Sequence, residues 1–491
     1  MRSTTTLIAA VLVAATAVPA AHAAGTTVRT DTGFVSGTIT DAQRSFQGIP
    51  FAAPPTGDDR WRDPRPARPW RGVLAATEPG PRCAQDEGLG SPAGDSEDCL
   101  YLTVSTPLKA ANRPVMVWLH GGGFTSGAGS DYSMDRLVRN GSVVVTVNYR
   151  LGAFGYFGFP GLEGSGAFGL RDQQAALEWV QRNIRQFGGD PHNVTLFGAS
   201  AGGLSTCAQL TSPRTQGLFH RAIIQSGPCQ LGLPAGENRV QHTWVERADV
   251  ERAGAQAPHG CTDIPCLRQL TVQQVKALTP SFSSPAYGTE ALPDNPVTAL
   301  REGRFHKIPV LAGTTRDELT VFVAMYYPVL DAAGYEQALT GGFGAAKAQR
   351  ILAAYPPRGG DERVRLAAAL TDMTSVCTTN ELRVQTRAFG YEFAEPDPPM
   401  VFPGLPPFPY GAYHSSELPF TVDFGDVELT PAQRRLADRM TGAWTRFAAT
   451  GHPGWSRNGV EVFASEPVGR TDDHCDLWSA SVPAAGERQE R

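Results

Sequence analysis

Long apolar runs are almost absent from this chain. The one nearly continuous apolar run of about a dozen residues covers residues 7–18, without charge, after Met1-Arg2-Ser3 and before Ala21-His22-Ala23. A basic start, about a dozen apolar residues and an A-x-A end have the form of a secretory signal peptide, and fall short of the roughly 20 residues a membrane span needs. The expectation is a signal peptide over residues 1–23, a mature chain from Ala24, no membrane span, and an extracellular location. An excess of positive charge is also missing. The 43 Lys plus Arg stand against 48 Asp plus Glu, a formal net charge of -5, which argues against the basic surface of a nucleic-acid-binding protein. Lysine is scarce beside arginine, a bias that assigns no chemistry. No C-x-x-C and no H-E-x-x-H occurs, so cysteines and histidines do not fall at common zinc-ligand spacings and no metal is expected. Export turns the eight cysteines into candidates for four disulfides.

With 41 % hydrophobic and 19 % charged residues over 491 positions, the chain can bury a substantial core. Residues 113–120 (RPVMVWLH) and 142–148 (SVVVTVN) are short, β-branched apolar runs, as expected of strands buried on both faces of a parallel sheet. Between residues 170 and 187, Leu177, Val180, Ile184 and Phe187 recur at steps of three, four and three, which predicts a helix with one buried face. Gly188-Gly189 should stop it, and Asp190-Pro191 should turn the chain into a third strand at 194–197. Further strands are expected at 222–225 and 308–312. A long helix is expected from Thr430-Pro431-Ala432-Gln433, a capping box with Pro at the first turn, to Gly451. This alternation implies an α/β sheet covered on both faces. No internal repeat or flexible linker is found. Residues 396–409 hold seven prolines, but Met400, Val401, Phe402, Leu405 and Phe408 mark them as a pinned surface loop.

Gly198-Ala199-Ser200-Ala201-Gly202 follows the third strand and precedes a helical stretch. A bare G-x-S-x-G needs such context. A nucleophilic serine must stand out of the sheet on a tight strand-to-helix turn, and small neighbours let the backbone bend there. His120-Gly121-Gly122-Gly123-Phe124 follows the first strand. Three glycines free the backbone to aim N–H groups inward, as an oxyanion hole requires. The competing phosphate-loop reading lacks a Gly-Lys-Ser/Thr ending. The formal G-x-G-x-x-G at 164–169 follows no strand, so a dinucleotide site is discounted. A triad opening with Ser200 needs an acid and then a histidine downstream, and spacing alone leaves six histidines in play.

At this point the sequence resembles a type-B carboxylesterase, the α/β-hydrolase family that includes the cholinesterases. Its markers here are Phe46-Gln47-Gly48-Ile49-Pro50-Phe51 with Pro54-Pro55, Ser96-Glu97-Asp98-Cys99-Leu100-Tyr101-Leu102 and Asn148-Tyr149-Arg150-Leu151-Gly152. The residues around Ser200, Gln225-Ser226-Gly227 and Gly411-Ala412-Tyr413-His414 complete the set. The likeness runs from about Val28 to Trp478, so residues 24–491 are expected to form one α/β-hydrolase domain with a large, mostly parallel central sheet and helices on both faces. It implies Ser200 as nucleophile, Glu318 as the acid and His414 as the base, with oxyanion donors at Gly122, Gly123 and Ala201. Asp317 is a lesser candidate for the acid, because the family's Asp-Glu-Gly reads Asp317-Glu318-Leu319 here. Ser226 is either a partner of the triad or a turn hydroxyl.

The resemblance also implies the pairs Cys83 with Cys99 and Cys261 with Cys266, and places Cys377 and Cys475 at family positions. Cys207 and Cys229 are left as a fourth bridge or as two buried thiols. The implied activity is hydrolysis of small-molecule carboxylic esters through an acyl-enzyme, without a cofactor. Choline esters are disfavoured, because the loop between Cys83 and Cys99 has no aromatic residue and Ala199 replaces the cholinesterases' glutamate. A lipase for longer acyl chains is the alternative, and a non-catalytic binding protein is a third reading, against which the three triad residues stand. Residues 280–296, with Phe282 and Tyr287, are expected at the acyl pocket or in the core. Nothing in the sequence assigns an oligomeric state.

Overall fold

The computed structural model describes residues 25–478 except 41, 231, 235–239, 257–259 and 470–472, so the expected signal peptide lies outside the described residues. Ten strands make the main sheet. In chain order they are β1 (Thr38–Ile39), β2 (Gln43–Pro50), β3 (Tyr101–Pro107), β4 (Arg113–Leu119), β5 (Val143–Val147), β6 (Gly189–Ala199), β7 (Arg221–Gln225), β8 (Val310–Thr315), β9 (Phe389–Phe393) and β10 (Val460–Phe463). Their spatial order is β10-β9-β8-β7-β6-β4-β5-β3-β2-β1. The seven strands from β10 to β5 run parallel, and β3, β2 and β1 form an antiparallel edge.

Strict alternation along the inner strands splits their side chains between two cores. Val115, Val117, Leu119, Val145, Leu196 and Ile224 point to one face, where Ala176, Leu177, Val180, Ile184 and Phe187 cover them. Met116, Trp118, Val144, Phe197, Ile223 and Leu311 point to the other, under Leu436, Met440, Trp444 and Phe447. The first cover is helix α1 (Phe168–Asn183), continued by a 3-10 turn to Phe187 and closed by Gly188 at φ 88°. Helix α2 (Ala201–Thr211) and helix α3 (Thr320–Tyr326) follow β6 and β8. The second cover is helix α4 (Pro431–Thr450), whose Thr430 and Gln433 form the expected capping box and whose C-cap Gly451 is left-handed at φ 78°.

Two sequence boundaries shift. The strand expected at 194–197 already begins at Gly189, and Asp190-Pro191 is absorbed where the pairing of β6 with β4 slips register; proline, lacking an N–H, is tolerated at such an irregularity. The strand expected at 308–312 runs instead over Val310–Thr315. The proline-rich segment is pinned as expected: the Tyr413 hydroxyl accepts from the Val401 N–H at 2.8 Å and donates to the Pro399 carbonyl at 2.7 Å. All eight cysteines pair, as Cys83–Cys99, Cys207–Cys229, Cys261–Cys266 and Cys377–Cys475.

One buried ion pair props the turns beneath the glycine-rich loop. Asp172 on α1 is fully buried and takes Arg150 N at 3.0 Å, Nε at 2.8 Å and Nη2 at 2.7 Å. That fixes the Asn148–Arg150 backbone. From it, Tyr149 donates to the His120 carbonyl at 2.7 Å and Asn148 accepts from the Gly129 N–H at 2.8 Å. Removing one partner strands a buried charge. Asp172→Ala is therefore expected to cost about 3–5 kcal/mol in urea unfolding, and a loss under 1 kcal/mol would show that the pair is dispensable.

Candidate active site

Strand β6 ends at Ala199 and α2 begins at Ala201, so one residue makes the whole turn. Ser200 takes φ 55° and ψ -125°, a conformation that costs free energy and persists only where the surroundings enforce it. They do: Ser200 N donates to the Gln225 carbonyl at 2.9 Å, and the start of α2 is packed backbone against backbone. A Cβ on Gly202 would lie 1.9 Å from the Leu119 carbonyl oxygen, and one on Gly227 would lie 2.4 Å from that of Ser200. Glycine is required at both positions by close approach alone.

Glu318 follows β8 and His414 lies in the loop beyond β9. Glu318 is 2 % exposed. Its Oε2 accepts from Thr314 Oγ1 at 2.7 Å, Thr315 N at 2.9 Å and Ser226 Oγ at 3.0 Å, and also from Thr315 Oγ1. Its Oε1 meets Nδ1 of His414. Burial pushes the Glu318 carboxyl up, but His414 and these donors more than reverse that, and its pKa falls below the ordinary value. Burial likewise opposes charge on His414, and the Glu318 carboxylate overcomes it, leaving the imidazole above its usual 6.5. Asp317 does not reach the histidine. Its Oδ2 accepts from Ala412 N at 2.8 Å and its N–H donates to the Ala412 carbonyl at 2.9 Å, so it stitches the turn after β8 to the segment that delivers His414.

The glycine loop after β4 closes the site. Thr125 and Ser126 N–H groups both donate to the Gly122 carbonyl at 3.0 Å, with Gly122 at φ 106° and Gly123 at φ 62°. Among the described residues no acceptor within the protein takes the Gly122 or Gly123 N–H. Ala201 N–H stands at the first position of α2, where a helix leaves its donors free. His120 supports the loop as a neutral ring. Burial lowers its pKa to about 4, it stacks on Tyr149 at 4.3 Å, and its Nδ1 bonds the Gly121 carbonyl at 2.8 Å.

Gly122, Gly123, Ser200 and His414 line one cavity of about 310 Å³. Its other walls include Leu89, Tyr132, Phe322, Phe402, Leu418 and Phe424. Asp131, the acidic residue in the lining, is spoken for by Arg82, by Ser91 Oγ at 3.0 Å and by the Ala128 N–H at 3.0 Å. The cavity is thus shaped for a neutral, largely apolar molecule. Of the two alternatives for residues 280–296, the core holds for Phe282, which packs on Phe157; Tyr287 bonds Glu246 at 3.2 Å, and neither lines this cavity.

Sequence reasoning also passed over Glu417. It is fully buried, and burial first, then the charge of Glu318, raises its carboxyl to about 7. Its only signal was a second glutamate three residues after His414.

Comparisons with known proteins agree with this architecture. The family model described as carboxylesterase family matches residues 24–466. A para-nitrobenzyl esterase of Bacillus subtilis (strain 168) is 35 % identical over 453 residues, 87 % of this chain and 90 % of that one. Fumonisin B1 esterase of Sphingopyxis macrogoltabida is 35 % identical over 86 % of this chain and 82 % of its own. A solved PNB esterase structure superposes with a TM-score of 0.77 at 30 % identity, covering 93 % of this chain and 99 % of that one. The chain therefore belongs to the carboxylesterase family and is a carboxylic-ester hydrolase with an α/β-hydrolase fold.

Proposed function

We propose that this protein is a secreted serine esterase that hydrolyses small, uncharged carboxylic esters through an acyl-enzyme, with Ser200, His414 and Glu318 as its triad. The observation that carries the reading is the convergence of Glu318-bound His414, strained Ser200 and the free N–H groups of the glycine loop on one apolar cavity. His414 takes the Ser200 proton as Oγ attacks the ester carbonyl, and the resulting oxyanion rests on the N–H groups of Gly122, Gly123 and Ala201. Glu318 orients the ring through Nδ1 and stabilises its charged form. His414 then protonates the departing alkoxide, and a water it deprotonates releases the acid and restores Ser200. The aromatic walls and the likeness to a para-nitrobenzyl esterase support an aryl or benzyl group on one side of the ester. Four disulfides and the N-terminal sequence support secretion.

Purified mature chain should hydrolyse p-nitrophenyl acetate and butyrate faster than octanoate or palmitate, with activity lost in Ser200→Ala. A maximum at octanoate or beyond would move the assignment to a lipase. Ser200-independent turnover would overturn the nucleophile.

The charges of the site predict two pH effects. In kcat/KM, which reports the free enzyme, activity should rise with pH through an inflection above 6.5, as His414 loses its proton. Glu318→Gln removes the charge that holds that proton, so its inflection should move down and its kcat should fall on the order of 10³–10⁴-fold; an unmoved inflection would separate Glu318 from His414. Glu417 acts on stability. Folding raises its pKa from 4.5 to about 7, so its contribution is fully present below pH 4.5 and is lost as pH rises through about 7. Glu417→Gln, permanently neutral, should melt with the wild type near pH 4.5 and increasingly above it towards pH 7.5. A Tm difference independent of pH would contradict this.

A further inference from the structure

The far end of the glycine loop is clamped by the side-chain amide of Gln85. Gln85 reaches the backbone at the Gly127 end of residues 121–127 with two side-chain hydrogen bonds. Gln85 is 2 % exposed. Its Oε1 accepts from Gly127 N at 2.7 Å, and its Nε2 donates to the Gly127 carbonyl at 3.0 Å and to the Cys83 carbonyl at 2.9 Å. The amide thus pairs with Gly127 as a neighbouring strand would, matching a donor and an acceptor at once. No carboxylate, amine or hydrocarbon of that length does both. Gly127 has no freedom to drift while so held. A Cβ there would lie 2.4 Å from His120 Nδ1 and 2.7 Å from the Gly121 carbonyl, so it is pressed against the start of the same loop. Gln85 itself is fastened to the 83–99 loop by backbone pairing with Gly94 at 2.8 and 3.0 Å, and the Cys83–Cys99 bridge closes that loop.

We propose that Gln85 is a positioning residue for ester hydrolysis: through Gly127 it sets where the Gly122 and Gly123 N–H groups point. This rests on the oxyanion reading above. Gln85 does not line the cavity, so its effect falls on the transition state and not on ground-state contacts. Leu89, which does line it, sits on the same bridged loop, so the wall that meets the substrate and the clamp on the oxyanion donors belong to one closed segment.

The test compares wild type, Gln85→Leu, Gln85→Glu and Ser200→Ala for turnover of p-nitrophenyl butyrate. It also measures inhibition by a trifluoromethyl ketone, which adds to the serine and presents an oxyanion, and by its methyl ketone analogue, which binds as a ground state. Losing one oxyanion donor costs on the order of 10²–10³-fold in kcat. A misaimed loop should cost less, about 10–100-fold in Gln85→Leu, with KM within about twofold. Trifluoromethyl ketone affinity should fall by the same factor as kcat/KM, while methyl ketone affinity and Tm stay near wild type. Gln85→Glu keeps the acceptor for Gly127 N–H and should lie between the two, which also covers the case that the leucine variant does not fold. Full activity in both variants would overturn the proposal, as would a rise in KM with kcat kept, or equal loss of affinity for both ketones. If wild type bound the trifluoromethyl ketone no tighter than its analogue, or Ser200→Ala kept the difference, the oxyanion reading itself would fail, whatever Gln85 does.

Discussion

A single ionised carboxylate, buried to 2 % exposure, organises this molecule. Taking such a charge out of water costs several kcal/mol even after relaxation, and it survives only if every lone pair is met. Glu318 is met from three directions: Thr314 and Thr315 at the end of one strand, Ser226 at the end of the next, and His414 from a long loop. Ser226 holds φ 46° to take part. The same charge adds to the effect of burial on its neighbour Glu417. Two carboxyl groups in one dry region do not both ionise readily, and Glu417 is the one driven towards its neutral form. An ionised Glu318 bound to His414 and a Glu417 shifted towards its neutral form thus share one dry region of the fold.

Around that charge the geometry is set by backbone contact more than by side chains. The Ser200 turn is tight because carbonyls of Leu119 and Ser200 come too close to Gly202 and Gly227 for any Cβ. His120, uncharged and stacked, links the same strand end to the glycine loop. The glycine loop, Ser200, Glu318 and His414 sit outside the carboxyl ends of β4, β6, β8 and β9, where an open α/β sheet leaves a crevice. Strand packing in the two cores therefore fixes the positions of residues that never touch one another in sequence.

Much of this was legible in the chain. The inner strands announced themselves as β-branched runs, because burial on both faces leaves no polar alternation to blur them. Helix α4 was readable from its capping box and its left-handed Gly451. The Ser200 turn and the glycine loop were legible because glycine there answers a steric need that no other residue meets. Asp317 and Glu318, adjacent and chemically alike, could not be told apart from the residues alone, since only the direction of each side chain decides which meets His414. Gln85 and Glu417 left no pattern, because one amide and one carboxyl gain meaning from tertiary neighbours far along the chain. Phe282 and Tyr287 stayed open between pocket and core for the same reason: an aromatic ring reads alike in both.

The disulfides carry a consequence for how the chain matures. Each of the four joins a cysteine to the very next one in sequence, with separations of 16, 22, 5 and 98 residues. Eight cysteines allow 105 complete connectivities, and this is the one a chain reaches if every new cysteine bonds to the unpaired one before it. A polypeptide emerging N-terminus first meets its correct partners in the order of synthesis. The last bridge closes only after Ser200, Glu318 and His414 have all emerged.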